Sequence, residues 1–190
     1  AVAATATRRI ALLTGVAIAF PRSPMVIANL GWDLQSASGG RFVLGLGSQV
    51  RGHNERRFSL SWSAPAPRMR EYIGALRAIW RCWRDGEKLA FEGTHYNFSL
   101  MTPAFVPEPM SASPPAVTIG AVGPAMLWVA AEMCDGVRLH PFCTRRYQEN
   151  VVLPLIAGEL EKRGQTRAGY EITGGGFIAT GGDDEAVTEK

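Results

Sequence analysis

The residues best placed to do chemistry are one glycine-bearing turn and two histidines. Gly120-Ala121-Val122-Gly123-Pro124 closes an apolar run and opens a helix-like one. Glycines ahead of a helix whose first residue is proline leave backbone N–H groups bare, with the positive end of the helix dipole behind them. Such a turn accepts a phosphate or the carbonyl oxygen of a cofactor ring. The same residues also suit a plain strand-to-helix turn, and spacing alone does not choose. His53 and His140 each follow a predicted strand. Imidazole there can steer a proton or a substrate oxygen, so both are candidate catalytic residues. A histidine at a strand end is as readily structural, and that alternative stays open. Ser48 and Gln49 head the polar loop that carries His53 and extends to Glu55.

The elements that must position these groups alternate in type. Ile10–Ala19 is a nearly continuous apolar run, the pattern of a strand buried on both faces. Pro24 then opens a helix capped by Ser23, with Ile27, Leu30 or Gly31, and Leu34 inward, and Gly39-Gly40 stops it. Arg41–Gly47 is a strand. Pro65 and Pro67 open a long helix whose apolar stripe is Met69, Tyr72, Ile73, Leu76, Trp80 and Trp83, ended by Asp85-Gly86. Residues 89–99 alternate around a central glycine and predict a hairpin. Residues 101–115 hold five prolines and form an excursion expected to shape a substrate pocket. Strands follow at 116–120, 135–140 and 171–180, with helices at 124–133 and 144–163. Another helix begins at Asp183, where the acidic pair suits the dipole better than catalysis. Strand–helix alternation of this kind predicts an α/β fold with a parallel sheet, one domain over 1–190 with an insertion at about 87–115. In such folds the trailing loops meet at the carboxyl ends of the strands, where ligands bind.

Composition excludes several classes. At 46% hydrophobic and 19% charged, the chain is ordinary globular material. A net charge of +3, without a Lys/Arg run interleaved with aromatics, argues against nucleic acid. Cys82, Cys134 and Cys143 form no CxxC pair, so reduced thiols and a cytoplasmic setting are expected, with no metal site. The apolar start is β-compatible, lacks a cleavage signature, and is too short for a membrane span. Gly45-Leu46-Gly47 has no third glycine at dinucleotide spacing, and GxxxxGK[ST], HExxH and GxSxG do not occur.

Five segments, taken in order, resemble the luciferase-like monooxygenase family and its coenzyme F420-dependent branch. They are TGVAIAFPRSPMVIA, SGGRFVLGLGSQ, RMREYIGALRAIW, FEGTHYNF and PPAVTIGAVGPAMLWVAAEMCDGVRLHPF. The resemblance implies a (β/α)8 TIM barrel. Such a barrel needs roughly 250 residues, so a chain of 190 that opens on Ala1 is expected to be a partial barrel, lacking the first two strands and the C-terminal end. Its unpaired edges would invite association. The resemblance also implies a non-prolyl cis peptide in a bulge near Gly15, Val16 and Ala17, against which a cofactor ring packs. Ser48, Gln49 and His53 would form the next ring-contacting loop, Gly120, Ala121, Val122 and Gly123 a third, and His140 the rim beyond. The implied activity is hydride transfer between F420 and a small organic substrate. An FMN-dependent monooxygenase and a non-catalytic truncated fragment are the alternatives. Neither a membrane nor nucleic acid is an expected partner, and the intact protein is open to homodimer formation.

Overall fold

A computed structural model of the chain describes residues 1–176 and 180–188. Its main sheet is wholly parallel. The strands are β1 (Leu12–Leu13), β2 (Ala17–Ile18), β3 (Phe42–Gly47), β6 (Ala116–Ala121), β7 (Gly136–Leu139) and β8 (Glu171–Thr173). β1 and β2 both pair with β3, and β3, β6, β7 and β8 follow in sequence order. Helices α2 (Pro24–Ser38), α4 (Pro65–Asp85), α5 (Pro124–Met133) and α7 (Leu153–Lys162) fill the crossovers. A small hairpin, β4 (Phe91–Glu92) with β5 (Asn97–Phe98), stands apart from the sheet.

The core lies between sheet and helices. Leu44 and Leu46 of β3 and Val117 and Ile119 of β6 point outward into it, where Ile27, Ile73, Leu76 and Leu127 meet them, all with no exposed surface. Each such side chain contributes about 1.5–3 kcal/mol by leaving water. The six predicted stripe residues of α4 are all buried. On α2 the choice between Leu30 and Gly31 falls to glycine. Gly31 packs on Trp80, whose indole N–H donates to the Ala28 carbonyl at 3.2 Å, while Leu30 is exposed. The predicted stops hold too: Gly39, Gly40 and Gly86 have φ of 64°, 86° and 71°, which favour glycine. Ser23 caps α2 by accepting from the Met25 N–H.

Four local expectations change. The run Ile10–Ala19 is not one strand buried on both faces. It is broken at 14–16 into β1 and β2, and Leu13 and Val16 are exposed. The opening residues fold as a short helix, α1 (Val2–Ala6), because the Arg41 guanidinium collects the carbonyls of Ala4, Thr7 and Ile10. The polar loop 48–55 contains α3 (Arg51–Arg56), held by the Asn54 amide donating to the Ser48 and Val50 carbonyls at 3.0 and 3.1 Å. The helix predicted over 144–163 contains a π-helical turn at Gln148–Val152 between α6 (Arg145–Tyr147) and α7. Pro154 supplies the reason, since it lacks the N–H that would continue the α pattern there. The last strand is seen over Glu171–Thr173, and part of its predicted span, 177–179, lies outside the described residues. The helix expected from Asp183 is α8 (Asp184–Thr188). No helix among the described residues is long and apolar enough to cross a membrane.

Candidate functional site

Every main-sheet strand runs in the same direction, so all the trailing loops leave from one end. The site at that end begins with what breaks the first strand. The Gly15–Val16 peptide is cis, at the position the resemblance implied. Thr14 turns its hydroxyl across to β3, donating to the Gly45 carbonyl at 2.7 Å and accepting from the Gly45 N–H at 2.9 Å. This close approach requires glycine on the partner strand. A Cβ on Gly45 would sit 1.9 Å from the Thr14 carbonyl oxygen, and one on Gly47 would sit 2.4 Å from Val16 Cγ2. Gly45 and Gly47 thus make room for the bulge. Val16 also passes near Gly120, where a Cβ would lie 3.8 Å from its Cγ1. One side chain therefore lies across the inner face of β3 and β6, over two glycines.

The next loop leaves β3 at Ser48. Asn54 fixes it, and Gln49 takes a positive φ of 59°. His53 is exposed on α3 and lines a shallow cleft with Gly52, Arg56 and Arg57. The third loop is shorter than expected: Gly120 and Ala121 are the last residues of β6, paired with Arg138 and Leu139 of β7, and Val122 and Gly123 alone form the turn. Helix α5 follows with Gly123 at its cap and no side chain bonded to its first turn, as the sequence implied. A Cβ on Gly123 would meet nothing within 4 Å, so the backbone there is open to a ligand. Tyr147 holds this loop by donating its hydroxyl to the Val122 carbonyl at 2.8 Å.

His140 completes the rim. Its Nδ1 accepts from the Phe142 N–H at 3.2 Å, and its ring stacks on that of Phe142 at 5.6 Å and 8°. With Nδ1 accepting, the proton of the neutral ring is on Nε2, which is left as a donor. A cavity of about 310 Å³ lies between Ala121, Val122, His140, Phe142, Cys143 and Tyr147. One layer deeper, Arg138 spans the inner face, donating Nε to Thr118 Oγ1 at 2.9 Å and Nη1 to Thr173 Oγ1 at 3.3 Å.

The structure therefore gathers Val16 with Gly120, and Ala121 and Val122 with His140. His53 is not among the residues lining the His140 cavity. Residues 101–115 do not line that cavity either. The excursion runs along the helices instead, where Glu108 and Ser113 carbonyls accept from Trp32 and Gln35 of α2. Gly45, Gly47, Thr14, Asn54, Tyr147 and Arg138 escaped the sequence reading. Only the Gly45-Leu46-Gly47 spacing carried a signal, and it points to close backbone approach. Among the described residues no cluster of His, Cys, Asp or Glu could hold a metal ion.

The sequence profile of luciferase-like monooxygenases matches residues 1–190. An uncharacterised protein of Mycobacterium bovis is 48% identical over 182 residues, covering 96% of this chain and 54% of that protein. The 5,10-methylenetetrahydromethanopterin reductase of Archaeoglobus fulgidus is 32% identical over 168 residues, covering 87% of this chain and 46% of its own length. The chain thus spans about half the length of these relatives. Among solved structures, monooxygenase RslO1 of Streptomyces bottropensis superposes with a TM-score of 0.78 at 25% identity, over 96% of this chain and 54% of that one. The coenzyme F420-dependent tetrahydromethanopterin reductase of Methanopyrus kandleri superposes with a TM-score of 0.70 at 20% identity, over 91% and 51%. The parallel sheet with its outer helices is accordingly part of a TIM barrel. By sequence profile, by relatives and by fold, the chain belongs to the luciferase-like monooxygenase family.

Proposed function

We propose that the protein carrying this chain is an oxidoreductase that passes hydride between coenzyme F420 and a small organic substrate. The observation that carries the reading is the inner face at the rim, where Val16 lies over Gly47 and Gly120 beside an open glycine turn. A flat ring can rest against that single apolar side chain, because the glycines beneath it add none of their own. When bound, F420 would supply the redox chemistry as a two-electron hydride carrier, leaving orientation and electrostatics to the protein.

The chain's own residues supply the rest. Val16, seated over Gly47 and Gly120, would support one face of the ring. The N–H groups of Val122 and Gly123, with α5 behind them, would donate to its polar edge. Tyr147 keeps that turn in place through the Val122 carbonyl. His140, oriented by the Phe142 N–H and stacked on the Phe142 ring, would offer Nε2–H to a substrate oxygen. His53 and the Ser48–Gln49 loop approach from the β3 side.

A relative that is a methylenetetrahydromethanopterin reductase and a structural neighbour named as F420-dependent support this cofactor. The match to monooxygenase RslO1, at the higher TM-score, supports the second reading, an FMN-dependent monooxygenase on the same rim. Titrating the full-length protein with F420 and with FMN separates them. The proposal expects saturable F420 binding and no oxygen uptake. FMN binding with oxygen consumption favours the second reading, and binding of neither sinks both.

A further inference from the structure

Beneath the rim, the inner face of the sheet carries a buried cation. In register, Arg138 of β7 stands between Gly120 of β6 and Thr173 of β8. It therefore leaves the sheet on the face that Val16 covers. Its guanidinium reaches one layer down, donating Nε to Thr118 Oγ1 at 2.9 Å and Nη1 to Thr173 Oγ1 at 3.3 Å. A Cβ on Gly45 would sit 2.9 Å from that Nε as well as against the Thr14 carbonyl. One missing side chain thus makes room for both the bulge and the guanidinium.

The charge is poorly compensated. The Arg138 side chain keeps 14% of its surface, and its Nη2 is buried without a hydrogen-bond partner. Among the described residues the carboxylate it approaches is Glu171, 3.7 Å from Nη2 and itself 41% exposed, so water screens that pair. A guanidinium does not give up its proton in a protein. Its close partners here are two hydroxyl oxygens, which turn dipoles toward it but bring no negative charge. A buried cation left in this state is costly unless an anion comes near it.

Hydride chemistry brings negative charge to the surface above. A substrate C–H bond breaks with its electron pair and a C–H bond forms on the ring. The ring is reduced by two electrons and gains one negative charge, and the oxidised substrate sheds a proton to solvent. We propose that Arg138 stabilises the negative charge of the reduced ring from beneath, so that the site prefers the reduced cofactor to the oxidised one. Successive layers on one face of a strand are about 7 Å apart, near enough for a charge that little water screens. The inference rests on the reading that the ring lies over Val16 and Gly120.

Equilibrium titration of the full-length protein with oxidised and with reduced F420 tests it. Arg138→Met keeps the length of the side chain and removes the charge. It should lower the preference for the reduced form by about tenfold and change the Kd of the oxidised form by no more than about twofold. Arg138→Lys should retain most of the preference. An Arg138→Met variant that weakens both forms alike, or neither, overturns the proposal and leaves the cofactor reading standing. Binding of neither form to the parent sinks that reading and this inference with it. If Arg138→Met does not fold, absorbance of the reduced cofactor on the parent decides. The bound ring should stay anionic to about one pH unit lower than the free one, and the absence of that shift overturns the proposal.

Discussion

The two ends of this sheet are built from opposite materials. At the carboxyl end the working surface is mostly backbone: the Gly15–Val16 bulge, Gly45 and Gly47 facing it, and Gly120 with the Val122-Gly123 turn. At the amino end it is side chains: Arg77 with Asp135, Arg163 and the buried Tyr170. A glycine surface recognises shape and offers fixed N–H groups at no cost in side-chain entropy. An arginine surface recognises charge and is held in place by ion pairs and carbonyls. The rim therefore suits a large planar ligand, while the opposite end ties helices to strands through Arg77 with Asp135 and Arg163 with the Ala131 carbonyl.

The difference can be broken by substitution. Gly45→Val should be the most damaging change, because its Cβ alone meets the Thr14 carbonyl at 1.9 Å. Urea denaturation should show a loss of about 3 kcal/mol or more, at or above the usual range for overpacking. A stable Gly45→Val chain would mean that the bulge is not pinned as described. His140→Gln should leave stability nearly unchanged, since the side chain is exposed, yet lower turnover by about a hundredfold. Equal losses in both would make His140 structural.

Asp135→Ala acts at the other end. It removes an acceptor from both the Val117 N–H and Arg77, and thermal melting should report about 1 kcal/mol. Tyr147→Phe frees the Val122 carbonyl at the rim, and should cost less than that in stability while raising KM for the cofactor. Alkaline pH gives the gentlest test. Burial raises the Cys134 thiol and the Tyr170 phenol, and burial followed by Tyr96 raises Tyr72. The folded chain therefore holds protons that the unfolded chain releases. Stability from these groups is full below pH 9.0, the ordinary thiol value, and falls as pH rises past it. A melting temperature that is flat up to pH 11 would contradict that burial.

These contrasts also explain what could be read in the sequence. The α4 stripe, the Gly39-Gly40 and Gly86 stops, the Ser23 cap and the hairpin each follow from neighbours a few residues away, so periodicity and turn chemistry reveal them. The bare start of α5 was readable for the same reason, whereas the position of the bulge came from the family resemblance alone, since periodicity made Ile10–Ala19 one strand. What escaped depends on contacts far apart in the chain. Gly45 is glycine because of Thr14, and the Val122 loop is steadied by Tyr147. Arg138 gains meaning only once β8 sits beside β7. The α3 helix was missed because a side-chain clamp from Asn54, rather than an apolar stripe, holds it. The π turn was visible in principle, since Pro154 announces it.

The claim on which the functional reading rests is that a planar redox ring lies on the glycine face of β3 and β6. A Cβ on Gly120 makes only ordinary contacts, 3.8 Å to Val16 and 3.9 Å to the Leu46 carbonyl, so Gly120→Val can fold while filling the space above the sheet. Fluorescence titration of F420 into full-length parent and Gly120→Val protein, matched for melting temperature, is the most direct measurement. The account predicts saturable binding to the parent and its loss, by about a hundredfold, in the variant. Equal binding to both would place the ring elsewhere and contradict it.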